Sequence, residues 1–251
     1  MPRALDGVDD RIVLSIGALG FAFGPGTMAV ILKTDVDGNA DVILHVGSSD
    51  TVDYRMTKAG TDVLRLRCNS SNVDSAFTIL ASQGWQLVAI TKASGTVAPR
   101  LHQYIYGTNA WTHEDSASTL ANSSAPGTSA YMGSTAAGGS YWDGDIAAAG
   151  VWDVVLTDAQ IEALAYGLMP WYAVQPKGLW LLDQDTTSQK VPDLTGGGAN
   201  ESSLTGTTVG TSAVPIFSYG HDFIRVQRIF DVPRARLPVI VGQAVARAGL
   251  R

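Results

Sequence analysis

The sequence predicts an all-β protein in which two antiparallel sheets pack as a sandwich, with one short helix and an extended C-terminal arm. Three observations support this prediction. Short runs of branched and aromatic residues recur between turn signals such as Asp37-Gly38-Asn39. The chain has 27 glycines, and 45% of its residues are hydrophobic, which suits many turns around a sizeable core. Only one stretch combines helix-capping residues with a helical apolar stripe.

Eight strands are predicted in the first half of the chain, because each run is short, apolar or alternating, and bounded by turn residues. They are residues 12–19, 27–33, 41–47, 51–56, 63–68, 76–80, 85–92 and 101–106. The polar, small residues of 108–127 predict a long loop at one end of the sandwich.

The predicted helix begins after Thr157, because Thr157-Asp158-Ala159-Gln160 has the capping-box pattern. An apolar stripe follows at helical spacing, formed by Ile161, Leu164 and Ala165. Gly167 is a natural residue just past the helix end, and Pro170 prevents continuation. A further strand returning to the sandwich is predicted at about 179–185, and a Gly/Ser/Thr-rich loop at 193–210.

The last 34 residues differ in charge from the rest of the chain. Residues 218–251 hold six arginines and no lysine against Asp222 and Asp231, a charge of +4 that leaves −10 elsewhere, since the total is −6. We therefore predict two parts: a sandwich over 1–217 and an Arg-rich arm over 218–251. The arm residues expected to dock on a neighbour are Phe223, Arg225, Arg228, Arg234, Arg236, Arg247 and Arg251.

The partner of this arm is expected to be an acidic protein surface, because its arginines are spaced among apolar residues and have no aromatic platform for nucleic acid. The single cysteine, Cys68, excludes an intramolecular disulfide. Residues 1–10 lack an apolar signal-peptide core, and the apolar run 237–246 is short and contains Pro238. These features predict synthesis in a cytoplasm without a signal peptide, and no membrane insertion.

Four segments carry a family resemblance through their order: LDGVDDRIVL at 5–14, GWQLVAITK at 84–92, YIYG at 104–107 and SYWDGDIAAAGVWDVVLTDAQIEAL at 140–164. This pattern resembles laminin G-like domains of the concanavalin A-like lectin/glucanase superfamily. The resemblance implies a two-sheet jelly roll. With its basic arm, the chain also resembles virion proteins of tailed bacteriophages, either minor tail or capsid-surface components.

No catalytic residue is predicted, although that superfamily includes glycosidases. Glycosidases need a pair of carboxylates beside the scissile bond, and the three glutamates, Glu114, Glu162 and Glu201, form no E-x-D-x-E ladder. The four histidines are scattered, and the sequence has no G-x-S-x-G nucleophile elbow.

Sugar binding is predicted at two aromatic groups, because a pyranose needs a flat apolar partner and polar groups for its hydroxyls. Tyr106, Asn109, Trp111 and His113 form the first group, and Tyr141 with Trp142 forms the second. For Trp111 a structural lid is an equal alternative, and for Trp142, packing is the favoured one.

No cofactor is required, but calcium is a candidate, because the resemblance implies a calcium site built from aspartates. Asp9-Asp10 and Asp143-Gly-Asp145 offer the hard oxygen ligands that calcium prefers. The alternative is turn chemistry, in which the same carboxylates accept backbone N–H bonds.

Two functions follow as hypotheses. The first is a non-enzymatic virion structural protein, a minor tail protein or a capsid decoration protein, that forms a homo-oligomer or binds other virion proteins through its arm. The second is a carbohydrate-binding module that recognises host-surface glycans.

Overall fold

The computed structural model describes residues 2–15, 25–47, 54–68, 71–122, 129–182, 191, 193–195, 201–205 and 207–209. Every described residue belongs to the compact unit Met1–Ile216. The predicted arm, 218–251, with Phe223 and its arginines, lies outside the described residues, so its docking role and the domain boundary stay predictions.

Sheet 1 has eight strands in the order β10-β9-β8-β3-β12-β1-β15, and β13 pairs with β12 beside β1. Its strands are β1 (Arg3–Asp6), β3 (Gly26–Thr34), β8 (Gln86–Lys92), β9 (Arg100–Ile105), β10 (Ala110–Asp115), β12 (Asp143–Trp152), β13 (Gly178–Leu181) and β15 (Thr208–Val209). Every neighbouring pair is antiparallel.

Sheet 2 has seven antiparallel strands in the order β14-β2-β11-β4-β5-β6-β7. They are β2 (Arg11–Leu14), β4 (Asp41–Val46), β5 (Tyr54–Lys58), β6 (Val63–Cys68), β7 (Ser71–Thr78), β11 (Ala130–Met132) and β14 (Glu201–Thr205). The predicted two-sheet sandwich is confirmed, and sequence-distant strands pair within each sheet.

The core lies between the two sheets. It is formed by alternate residues of each strand, such as Val88 and Ile90 on β8 or Leu64 and Leu66 on β6. Trp142 and Trp180 are buried in this core as well. Alternation therefore leaves the other side chains of each strand on an outer face of the sandwich.

The helix α1 (Asp158–Ala165) contacts β9 of sheet 1. It begins as predicted: the Thr157 hydroxyl accepts the backbone N–H of Gln160, and the Gln160 side chain accepts the backbone N–H of Thr157. Ile161, Leu164 and Ala165 are buried, which confirms the predicted stripe. No helix of the described residues has the length and apolar character needed to cross a bilayer.

Two predicted loops were wrong. β10 lies inside the predicted loop 108–127, where it forms a hairpin with β9 through the turn 106–109. β14 and β15 lie inside the predicted loop 193–210 and extend the edges of both sheets. Both errors have the same cause. A strand at a sheet edge needs no continuous apolar run, because one side of an edge strand faces solvent. β7 also begins at Ser71, earlier than the predicted 76.

Candidate functional site

The outer face of the β9–β10 hairpin carries three cross-strand pairs of functional side chains. Arg100 opposes Asp115, His102 opposes His113, and Tyr104 opposes Trp111. These six residues share one side of the hairpin because strand side chains alternate, and Leu101 on the other side belongs to the core. We call this set the β9–β10 face.

Helix α1 adds a carboxylate to this face through its first residue, Asp158. One oxygen of Asp158, Oδ1, lies 3.3 Å from Arg100 Nε and 4.0 Å from His102 Nδ1. Its other oxygen, Oδ2, lies 3.7 Å from His113 Nε2. The capped start of α1 therefore fixes a carboxylate among three nitrogen-bearing side chains.

Trp111 is the aromatic residue of the face that reaches solvent. It lies on β10, the edge strand of sheet 1, and its ring is partly exposed. Its centroid lies 5.7 Å from the His102 ring and 6.0 Å from the His113 ring, both tilted to it. The neighbouring rings restrict the indole, and restriction lowers the entropy cost of stacking a ligand on it.

His102 is fully buried, with 0% exposure. Burial lowers the pKa of His102 to about 4, and the nearby Asp158 carboxylate only partly opposes this. Its Nε2 lies 3.3 Å from the Thr91 hydroxyl. His102 is therefore neutral at pH 7 and supports the face from beneath, while His113 is exposed beside it.

Tyr106 and Asn109 occupy the turn of the hairpin and hold Tyr104 in place. Asn109, at φ 55°, accepts a hydrogen bond from the Tyr104 hydroxyl at 2.8 Å. Tyr106 is 9% exposed and packs edge-on against Tyr104, with centroids 4.9 Å apart. Burial raises the pKa of Tyr106, whose hydroxyl is buried without a hydrogen-bond partner among the described residues. The predicted group thus divides into two turn residues, Tyr106 and Asn109, that support Tyr104, and two exposed or partly exposed residues of β10, Trp111 and His113.

The second predicted aromatic pair is not part of this face. Trp142 has 0% exposure and lies in the core, with the Lys58 ammonium 6.0 Å from its ring centroid. A ring enclosed on both sides cannot stack on a sugar, so the assignment of Trp142 to glycan binding was wrong. Tyr141 is partly buried beside Gly138, and no contact among the described residues joins it to Trp111.

The predicted metal ligands Asp9 and Asp10 meet Asp6, which the sequence argument missed. One carboxylate oxygen from each lies within 4.8 Å of the others. Asp10 is 2% exposed, its Oδ2 accepts the Asp6 N–H at 2.8 Å, and its buried Oδ1 has no hydrogen-bond partner within the described part of the chain. Burial, followed by the charges of Asp6 and Asp9, raises the pKa of the Asp10 carboxyl. A buried, unpaired carboxylate oxygen among oxygen donors fits a calcium ion.

Asp143 lies beside this cluster, whereas Asp145 does not belong to it. Asp143 opposes Asp6 across β1 and β12, and a Cβ on Gly7 would lie 2.9 Å from the Asp143 Cβ. Asp145 is buried two residues further along β12, with Oδ2 4.0 Å from Lys33 Nζ. The alignment of β12 with β3 places Asp145 opposite Lys33, apart from the Asp6, Asp9 and Asp10 carboxylates, and its role as a metal ligand stays a prediction.

Two glutamates, Glu114 and Glu162, lie outside the β9–β10 face. The Glu114 carboxylate accepts the backbone N–H of Ala76, which connects β10 to β7 of the other sheet. Glu162 lies on α1, one turn after Asp158. Neither is a member of the β9–β10 face.

Comparison with known families gives one match that covers most of the described sandwich. A family model described as the concanavalin A-like lectin/glucanases superfamily matches residues 6–162, from the end of β1 into α1. A comparison with curated proteins gives no significant match.

Several solved structures are similar to this chain at low sequence identity. A candidate carbohydrate binding protein from Bacteroides ovatus is 20% identical with a TM-score of 0.61, covering 86% of this chain and 61% of its own. The SAP-like pentraxin of Limulus polyphemus is 18% identical, with a TM-score of 0.46 over 65% of this chain and 81% of its own. The CBM40 module of a Ruminococcus gnavus IT-sialidase, solved with α2,3 sialyllactose, is 11% identical, with a TM-score of 0.47. The match covers 66% of this chain and 97% of that module. At a TM-score of 0.61 and 20% identity, the Bacteroides ovatus protein shares the fold of this chain and no more is inferred from it.

Proposed function

This chain belongs to the concanavalin A-like lectin/glucanases superfamily, and we propose that it is a non-enzymatic carbohydrate-binding protein whose ligand lies on the β9–β10 face. The observation that carries this proposal is Trp111, a partly exposed indole with polar groups fixed beside it. A pyranose has an apolar side that stacks on such a ring and hydroxyls that need donors and acceptors.

The polar groups beside Trp111 supply both kinds of hydrogen-bonding partner. His113 and Arg100 can donate, and the Asp115 and Asp158 carboxylates can accept. All four side chains are at least one-third exposed. The ion pair of Arg100 with Asp158, at 3.3 Å, holds these groups in place before a ligand arrives, which reduces the ordering cost of binding.

A binding role suits this face better than a catalytic one. Glycoside hydrolysis needs an acid and a second carboxylate on either side of the scissile bond. The carboxylates here, Asp115 and Asp158, both make ion pairs with Arg100. Both carboxylates are therefore held against one guanidinium, an arrangement that orients hydrogen-bond acceptors for a ligand.

Trp111→Ala tests the proposal. We expect the full chain to bind at least one member of a panel of neutral oligosaccharides, and Trp111→Ala to lower that affinity about tenfold or more, the size of a lost stacking contact. Tyr172→Ala is the matched control, since it removes an aromatic residue that is 44% exposed outside this face. Unchanged melting temperatures must accompany the loss. Equal binding by wild type and Trp111→Ala would overturn the proposal.

A second candidate role is structural: a minor tail or capsid decoration protein of a bacteriophage virion, fastened by residues 218–251. The charge division of the sequence supports it, with +4 in those residues and −10 in the rest. An arginine arm and an acidic body are complementary, as docking between neighbouring copies or virion proteins requires. The two roles are compatible, because the arm can anchor a protein that recognises host-surface glycans.

Mass measurement by light scattering tests the structural role. We expect the full chain to form a defined oligomer and the chain ending at Phe217 to be a monomer. A replacement of the six arginines by glutamine should act like the truncation while keeping the chain length. Equal masses for all three proteins would contradict assembly through the arm.

A further inference from the structure

Helix α1 runs alongside β9 in the same direction and places a second exposed ring beside the β9–β10 face. At one end, Asp158 lies 3.3 Å from Arg100, and at the other, the ring centroids of Tyr166 and Tyr104 lie 4.9 Å apart. A helix rises about 12 Å from residue 158 to residue 166. A strand extends about 13 Å from residue 100 to residue 104. The two contacts therefore fit one straight helix lying along the strand.

Three residues of α1 and its C-cap form a row on one side of the helix, because they are spaced by four: Asp158, Glu162 and Tyr166. Tyr166 keeps helical backbone angles, so it continues this row past the last residue of α1. Burial raises the pKa of the Tyr104 phenol, and the neighbouring Tyr166 and Glu162 raise it further, which places Glu162 near Tyr104 too. We call the β9–β10 face together with this row the extended face.

Tyr104 separates the two exposed aromatic rings of the extended face. It is 1% exposed, Trp111 opposes it across the strands, and Tyr166 packs edge-on against it. Tyr166 is 38% exposed. The ring contacts of Trp111 are with His102 and His113, and no ring contact among the described residues joins Trp111 to Tyr166. Each exposed ring therefore offers its own place for one sugar to stack.

Carboxylates outnumber guanidiniums on the extended face. Arg100 lies between two of them, at 3.7 Å from Asp115 and 3.3 Å from Asp158. Glu162 adds a third carboxylate, partly exposed, which forms no ion pair within the described part of the chain. Three carboxylates against one guanidinium repel a ligand that carries negative charge.

We propose that the extended face binds an uncharged oligosaccharide, with one sugar stacked on Trp111 and another sugar of the same chain on Tyr166. This inference rests on the proposed carbohydrate-binding function, to which it adds the length and the charge of the ligand. One sugar can stack on one ring only, whereas a chain of two or more sugars can contact both. The second contact is then intramolecular, so affinity should increase with chain length. Tyr104 already restricts the Tyr166 ring, which lowers the ordering cost of that contact.

The test is calorimetric titration of the full chain with gluco- and manno-oligosaccharides of one to six sugars. The variants are Tyr166→Ala, Tyr166→Phe and, as matched control, Tyr172→Ala, which removes a tyrosine that is 44% exposed outside the extended face. We expect wild type, Tyr166→Phe and Tyr172→Ala to bind the longer chains more tightly than the single sugars. Tyr166→Ala should bind the longer chains about fivefold to tenfold more weakly than wild type, the size of one lost stacking contact.

Equal affinities of wild type and Tyr166→Ala at every chain length would overturn the second sugar position. Tyr166→Leu repeats the test if the alanine variant melts at a lower temperature, because leucine keeps apolar packing against Tyr104 but has no flat ring. If Trp111→Ala weakens binding and neither Tyr166→Ala nor Tyr166→Leu does, the proposed function stands and only this inference fails. If Trp111→Ala has no effect, the proposed function fails and this inference fails with it.

A second measurement tests the charge of the ligand. The oligosaccharide of the panel that binds most tightly is compared with the same compound after oxidation of its primary hydroxyls to carboxylates. We expect the oxidised compound to bind about tenfold or more weakly at low salt, where repulsion by the carboxylates of the extended face is least screened. Equal affinity for the two compounds would overturn the assignment of an uncharged ligand.

Discussion

His102 and His113 oppose one another on β9 and β10, with ring centroids 6.1 Å apart, yet only His113 is exposed. The same cross-strand position therefore holds one imidazole kept neutral by burial and one available to a ligand. The buried member of the pair, His102, makes the stability of the fold depend on pH.

His102→Gln should change the pH dependence of stability. An unfolded histidine titrates near 6.5, whereas burial lowers the pKa of His102 to about 4. Between these values the unfolded chain binds a proton that the folded chain does not, so the free energy of unfolding falls as pH falls from about 6.5 to about 4. Between pH 7 and 4.5, the wild type should lose about 2–3 kcal/mol of unfolding free energy that His102→Gln retains. Urea unfolding at the two pH values measures this difference. Parallel pH profiles of stability for the wild type and His102→Gln would contradict the lowered pKa of His102.

Asp10→Asn should stabilise the protein in the absence of calcium. Burial raises the pKa of the Asp10 carboxyl, so its ionised form is costly at neutral pH, and wild-type stability should rise as pH falls through that raised pKa. Calcium should raise the wild-type melting temperature, and Asp10→Asn should lose most of that gain. The exposed Asp153→Asn is the control. A calcium response that survives Asp10→Asn would remove Asp10 from the site.

Gly144→Ala should disrupt the pairing of β12 with β3. Gly144 has φ +140°, and a Cβ there would lie 2.1 Å from the carbonyl oxygen of Lys33, which is backbone and cannot move aside. We expect a loss of about 2–4 kcal/mol in denaturant unfolding. Gly38→Ala separates the steric clash from the backbone strain, since Gly38 also has a positive φ, +79°, but open space around it. That control should cost about 1–2 kcal/mol, the strain of the backbone alone.

Thr157→Ala should weaken the start of α1. The Thr157 hydroxyl accepts the Gln160 N–H at 3.3 Å, and loss of such a cap costs about 1 kcal/mol. Thr157→Ser keeps the acceptor and should be close to wild type in chemical denaturation. Because the first residue of α1 is Asp158, the alanine variant should also loosen the ion pair with Arg100, visible as weaker glycan binding. A fully stable alanine variant would contradict the capping role.

The elements predicted correctly from sequence are those whose signals are local. The helix was predicted because its cap, apolar stripe and terminal glycine lie within eleven residues, 157–167. β6 was predicted with its observed bounds, Val63–Cys68, because its residues alternate between core and outer face. In both cases neighbouring residues alone specify the conformation.

The misassigned features depend on contacts between distant parts of the chain. β10 places charged residues on both sides of an edge strand, so its composition indicates a loop although β9 pairs with it throughout. Trp111 and Trp142 were both predicted as candidates for glycan binding, with packing favoured for Trp142, and tertiary contacts leave the first ring partly exposed and bury the second. Asp158 joins the β9–β10 face because α1 contacts β9, a contact that no local pattern reports.

The central position of β12 has a consequence for the order of folding. Among the described strands, β1 (Arg3–Asp6) pairs with β12 and β15, so its first partner is more than 130 residues away in sequence. During synthesis β1 therefore has no β12 partner until the ribosome has released residues 143–146. Such non-local closure is slow, with folding times of milliseconds to seconds for sandwiches of this kind. Arg3 and Asp6 place a charge at each end of β1, and charged side chains on an unpaired strand oppose its pairing with other chains during that interval.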